Sequence, residues 1–173
     1  MQEVILGVGN ILKGDDGIGV YVAEKLKEYI EKVEQRAKED KTRGDRVMVV
    51  AINCGTTPEN YTSIIKKSSP DRLIVVDAAD LGLSPGLCRI IPPERVGVMC
   101  ISTHNMPLSL FTSYVGHFCQ DIVLVGIQPE RMDFGAKLSS VARRAGGQVV
   151  NLIMEKRLNG IETLKVQAAE AEI

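Results

Sequence analysis

The fold is decided by Val4-Ile5-Leu6-Gly7-Val8-Gly9-Asn10-Ile11-Leu12-Lys13-Gly14-Asp15-Asp16-Gly17. Val4 to Val8 is a continuous apolar run without polar alternation, the pattern of a strand buried on both faces. Gly, Asn and Asp then dominate from Gly9 to Gly17, which reads as a loop. Beyond it Ile18, Val22, Ala23, Leu26 and Ile30 recur at helical spacing, with Asp15 or Asp16 expected at the N-cap of that helix. A buried strand, a tight loop and an amphipathic helix are the opening of a strand–helix–strand unit.

Working outward, the same alternation repeats. Val47 to Ile52 reads as a second buried strand. Thr57-Pro58-Glu59 starts a helix with Pro in its first turn, running to about Lys67 and stopped by Ser69-Pro70. Leu73 to Val76 is a third strand with Asp77 at its carboxyl end. After the Ser84-Pro85-Gly86 turn, Leu87 to Ile91 reads as a short edge strand for which an antiparallel direction is open. Pro92 to Thr103 reads as an irregular connection. Leu108, Phe111, Val115 and Phe118 mark a helix and Ile122 to Ile127 a fifth strand. A last helix carries Leu138, Val141, Ala145, Val149, Leu152 and Ile153 on one face, with Gly146 and Gly147 expected off it. The fold class is therefore α/β: a three-layer α/β/α sandwich with a mostly parallel five-stranded sheet. One α/β domain is expected over 1–173, with a charged surface insertion at 31–46 and a loosely docked tail at 161–173.

Composition excludes several classes. With 21 Lys plus Arg against 22 Asp plus Glu, the net charge is -1, so no broad basic footprint for nucleic acid is present. No apolar run reaches the roughly 18 residues that a membrane helix needs, so no membrane insertion is expected. Val4 to Val8 follows Glu3 rather than a basic region and does not read as an export signal. A cytoplasmic location follows as an expectation, with Cys54, Cys88, Cys100 and Cys119 reduced and mostly buried as small apolar side chains. None of them pairs as CxxC, which argues against structural zinc.

In open α/β sheets ligands bind beyond the carboxyl ends of the strands. The sequence places Asn10, Asp15 and Asp16 there after the first strand. Asn53, Cys54, Gly55 and Thr56 follow the second, and Asp77, Ala78 and Asp80 the third. Ser102, Thr103, His104 and Asn105 precede the penultimate helix, and Gln128 and Glu130 follow the fifth strand. Gly7-Val8-Gly9 begins a G-x-G-x-x-G, yet Leu12 stands at its third glycine and two acids stand where a pyrophosphate would bind. That argues against a nucleotide site. A carboxylate directly after a buried strand, as at Asp77, is desolvated unless something pairs with it. His117, inside an amphipathic helix, reads as structural. Two carboxylates and an imidazole suit a divalent transition metal or acid–base work on a peptide bond, and no G-x-S-x-G nucleophile elbow is present.

The blocks Gly7-Val8-Gly9-Asn10-Ile11-Leu12 with Asp15-Asp16-Gly17, Thr57-Pro58-Glu59-Asn60, Val76-Asp77-Ala78-Ala79-Asp80-Leu81-Gly82 with Pro85-Gly86, Thr103-His104-Asn105-Met106-Pro107-Leu108, and Gly126-Ile127-Gln128-Pro129 resemble the hydrogenase maturation endopeptidases. They cover about residues 4–130 in order. The last two point to the branch serving the hydrogenase of formate hydrogenlyase and its membrane-bound relatives. The resemblance implies an endopeptidase that removes the C-terminal extension of a [NiFe]-hydrogenase large-subunit precursor once nickel is inserted. It implies that Asp16, Asp77 and His104 are the catalytic and metal-contacting residues, with nickel supplied by the precursor and only a weak site of the enzyme's own. A monomer is expected. The chain departs from the family in its long charged stretch 31–46 and at Asn53-Cys54-Gly55-Thr56, where Asp-Gly-Gly is common. A non-catalytic nickel-checking chaperone of the large subunit and a nucleotide- or cofactor-binding enzyme are the alternatives.

Overall fold

The computed structural model describes residues 1–39, 48–100 and 106–165. Five strands are present: β1 (Gln2–Val8), β2 (Met48–Gly55), β3 (Arg72–Ala78), β4 (Cys88–Ile91) and β5 (Asp121–Ile127). The helices are α1 (Ile18–Glu39), α2 (Thr62–Ser68), α3 (Val96–Met99), α4 (Leu108–Val115) and α5 (Ser140–Met154). The sheet order is β2-β1-β3-β5-β4. The first four strands in that order run parallel, and β4 pairs antiparallel to β5 at the edge.

The layers follow from what each sheet face buries. Ile5, Ile74, Val76 and Val125 on one face pack with Ile18, Val22 and Leu26 of α1 and Ala145 and Val149 of α5. Val4, Leu6, Leu73, Val75 and Leu124 on the other pack with Ile65 of α2 and Leu108, Phe111 and Val115 of α4. Alternate side chains of a strand point to opposite faces, so the continuous apolar runs of β1 and β3 serve two cores at once. The second strand differs from its expectation. Met48 and Val50 of β2 are exposed, because β2 is an edge strand.

The connection between β1 and α1 is tighter than a helix–sheet contact ordinarily allows. A Cβ on Gly7 would run into the Gly19 carbonyl, and one on Gly19 into the carbonyls of Val76 and Val8. Gly9, at φ +144°, has the Asp16 carbonyl where its Cβ would be. The glycines of the opening motif thus admit the protein's own backbone, not a phosphate.

Three further expectations are corrected. Neither Asp15 nor Asp16 caps α1: both sit in a 3-10 turn, Gly14–Gly17, that leads directly into the helix. Gly146 lies on the buried face of α5, where a Cβ would come within 2.9 Å of Ile18 and Tyr21, so it is a contact residue between α5 and α1. Part of the stretch expected to dock loosely at the C-terminus is held in place. Ile161 is buried, the Ile90 N–H donates to the Glu162 carbonyl, and the Leu164 N–H donates to the Ile90 carbonyl. Residues 162–164 thereby cover the open edge of β4. Within 31–46 the helix continues to Glu39, and residues 40–46 lie outside the described residues.

Candidate active site

The α1 crossover covers one sheet face and the α2 crossover the other, so the chain reverses between β1 and β3. Loops diverge at such a point and leave a crevice at the carboxyl ends of the strands. The Gly14–Gly17 turn lies against β3 at this crevice. Asp16 comes from the turn and Asp77 from the last residues of β3. Both side chains are buried, at 0% and 1% exposure. One oxygen of each is held by a backbone donor. The Asn10 N–H donates to Asp16 Oδ2 at 2.9 Å, and the Ala78 N–H donates to Asp77 Oδ1 at 2.8 Å. A carboxylate held by a fixed amide keeps its remaining lone pairs in a set direction, which suits a ligand or a base.

The neighbouring strands close the crevice. The Gly9 N–H donates to the Gly55 carbonyl at 2.8 Å, tying the end of β1 to that of β2. The register of the two strands shifts between Gly7 and Val8, leaving Cys54 unpaired in β2. Asn53 shapes that bend: its Oδ1 accepts from the Gly55 N–H, and its Nδ2 donates to Glu24 of α1. On the other side Ala79 bridges Cys100, and the Asp80 N–H donates to the Met99 carbonyl. Burial, helped by the nearby Asp77 carboxylate, pushes the Cys100 thiol up to about 12. Burial likewise pushes Cys54 up to about 12 and Cys88 up to about 11. A thiol is nucleophilic as its thiolate, so none of these three is an activated nucleophile at neutral pH.

The structure divides the residues gathered from the strand ends. Asp16, Asn10 and Asp77 come to one crevice. Gln128 is structural: its Oε1 accepts from the N–H groups of Leu81 and Leu83 and fixes the loop after β3. Asp15 is structural too. Its fully buried carboxylate accepts from the N–H groups of Glu130, Arg131 and Ser139 and from the Ser139 hydroxyl. The Ser139 hydroxyl in turn caps α5 by accepting from the Ala142 N–H. Asp15 therefore locks the turn carrying Asp16 to the start of α5. No local sequence pattern signals this, because its partners lie more than a hundred positions away; the Ser139 cap alone was legible in principle. His104, with Ser102, Thr103 and Asn105, lies outside the described residues. Among the described residues, no group of three or more His, Cys, Asp or Glu side chains comes together as a metal site.

The hydrogenase maturation protease family model matches residues 20–156. A hydrogenase 3 maturation protease of Escherichia coli K12 is 36% identical over 135 residues, covering 78% of this chain and 77% of that protein. The solution structure of an E. coli endopeptidase, HycI, superposes with a TM-score of 0.76 at 32% identity, covering 97% of this chain and 99% of that one. The crystal structure of a [NiFe] hydrogenase maturation protease from Thermococcus kodakarensis KOD1 gives 0.72 at 32% identity, covering 90% and 92%. The chain belongs to the hydrogenase maturation protease family. It is a peptide hydrolase of hydrogenase maturation, on an α/β/α sheet scaffold. No helix among the described residues is long and apolar enough to cross a membrane.

Proposed function

We propose that the protein cleaves the C-terminal extension from a [NiFe]-hydrogenase large-subunit precursor after nickel has been inserted, and that Asp16, Asp77 and His104 read the nickel the precursor carries. The observation that supports this most is the pair of buried carboxylates at the crevice, each with one oxygen held by a backbone amide. Two buried carboxylates, each with an oxygen fixed by a backbone amide, form a negatively charged donor set that suits a cation arriving with the substrate. Imidazole with carboxylates is a donor set for nickel rather than for magnesium. His104 is four residues beyond Cys100, which bridges Ala79, two residues after Asp77. Four residues span at most about 14 Å.

Hydrolysis adds one water across the scissile bond. The carbonyl carbon takes the water oxygen, and the departing amine takes a proton. The two carboxylates supply the acceptor through which that proton moves. We further propose a monomer acting in the cytoplasm, where its four free thiols stay reduced. The test is to incubate the purified protein with a nickel-loaded precursor and follow the precursor's mass. Loss of a C-terminal fragment is the expected result. Tight binding without any shortening would instead make the protein a nickel-checking chaperone.

A further inference from the structure

Beside the crevice lies a groove of roughly 890 Å³ whose chemistry the two carboxylates do not use. Leu81 and Leu83 of the loop after β3, Met99 and Leu164 give it an apolar floor, and Arg89, Arg95 and Lys165 give it a cationic wall. The lining adjoins the segment after β3: Leu81 follows Asp80 in sequence, and the Met99 carbonyl accepts from the Asp80 N–H at 2.9 Å. One cation is already matched: Arg89 donates to the Cys88 carbonyl and forms an ion pair with the exposed Glu162 at 3.2 Å. Arg95 is not. It is half-buried, and its Nε is closed off from solvent with no hydrogen-bond partner among the described residues. A half-buried guanidinium without a charge partner is costly, and a carboxylate that reaches its terminal nitrogens from the groove is the group that would pair with it.

We infer that this groove is a recognition subsite for an acidic, aliphatic stretch of the precursor polypeptide, with a Glu or Asp carboxylate on Arg95 and a neighbouring aliphatic side chain on Leu81, Leu83 and Met99. The inference rests on the reading that the substrate is a precursor polypeptide. Charge selects the occupant: with Glu162 set against Arg89, the wall keeps a surplus of positive charge from Arg95 and Lys165. An exposed lysine adds attraction that salt screens, whereas the half-buried guanidinium adds geometric selectivity.

The test uses the full-length protein and a fluorescein-labelled six-residue peptide in which leucines flank a glutamate–aspartate pair, read by anisotropy against its glutamine–asparagine counterpart. The acidic peptide should bind about tenfold more tightly, and Arg95→Met should erase that difference while Arg95→Lys restores part of it. Lys165→Glu should weaken the acidic peptide and steepen nothing else. In precursor processing, Arg95→Met should raise KM severalfold with kcat unchanged, and the acidic peptide should compete. Equal binding of the two peptides, or an Arg95→Met variant that keeps the difference, overturns the subsite. The chain's own Glu170 and Glu172 are a rival occupant. If replacing both by Gln tightens peptide binding about tenfold, the groove belongs to the tail and the assignment to the precursor fails. Wild-type protein that leaves a nickel-loaded precursor intact refutes the proteolytic reading, whatever the peptides do.

Discussion

Asp15 and Asp16 are adjacent in sequence and have separate roles in the fold. Asp15 gathers four donors from the segment before α5, and an amide in its place would turn an N–H group toward some of them. Asp15→Asn is therefore expected to cost about 2–3 kcal/mol and to lower the melting temperature by about 5–10 °C, measured by circular dichroism. Asp16→Asn has a different expected outcome: a normal melt and at least a hundredfold loss of precursor processing, the range of a lost general base or metal contact. Asp77→Asn should match it, and the double variant should be no worse than either single one, as for groups acting as a unit. A folded Asp16→Asn protein that processes precursor fully would remove that residue from the site. The thiols provide a third expectation. At pH 8 Cys54, Cys88 and Cys100 remain protonated, because burial raises them from the ordinary 9.0 to about 11–12. Iodoacetamide treatment of the native protein at that pH should leave them largely unmodified by mass spectrometry and leave processing intact.

Among the elements, α5 shows how neighbouring residues of one type differ by facing. Gly146 faces α1, where a Cβ would press on Ile18 and Tyr21, while a Cβ on Gly147 meets nothing within 4 Å. Alanine exceeds glycine in helix propensity by about 0.8–1 kcal/mol. Gly147→Ala should accordingly raise the melting temperature by about 2–3 °C, and Gly146→Ala should gain nothing or lose stability as the α1–α5 contact is pushed apart. Equal gains from both would mean that the helices do not meet at Gly146. The antiparallel β4 is the other informative element. Its four residues are short for a strand, yet it is paired on both sides, by β5 and by residues 162–164. This covers the exposed backbone that an edge strand would otherwise offer to other chains.

At the scale of the whole molecule, the turn after β1 and the end of β3 meet because the chain reverses direction between β1 and β3, and the proposed site adds His104 to them. A metal site made from all three depends on His104, since Asp16 and Asp77 alone are too few ligands to hold a transition metal firmly. Calorimetric titration with nickel should show weak binding by the wild type and none by His104→Ala, with the melt of the apoprotein unchanged. Binding that is equal in the two would take His104 out of the metal site.

The strands, their order along the chain and the three-layer class were legible because apolar runs with turn residues between them report burial directly, and burial on both faces requires helices above and below the sheet. The pairing of the opening glycines with Asp16 was legible only as a spoiled phosphate loop. That Gly7, Gly9 and Gly19 exist for backbone-on-backbone contact appears once α1 is laid against β1. Asp77 stood out because a carboxylate after a buried strand needs a reason, and the resemblance placed Asp16 beside it in role. That Asp15 locks the segment before α5 was decided by tertiary structure alone. So were the facing of Gly146, the covering of β4 by residues 162–164, and the buried Nε of Arg95 that has no hydrogen-bond partner among the described residues. Sequence periodicity carries the distinction between inside and outside. Partners a hundred residues apart are set by how whole elements pack, and a local pattern holds no record of them.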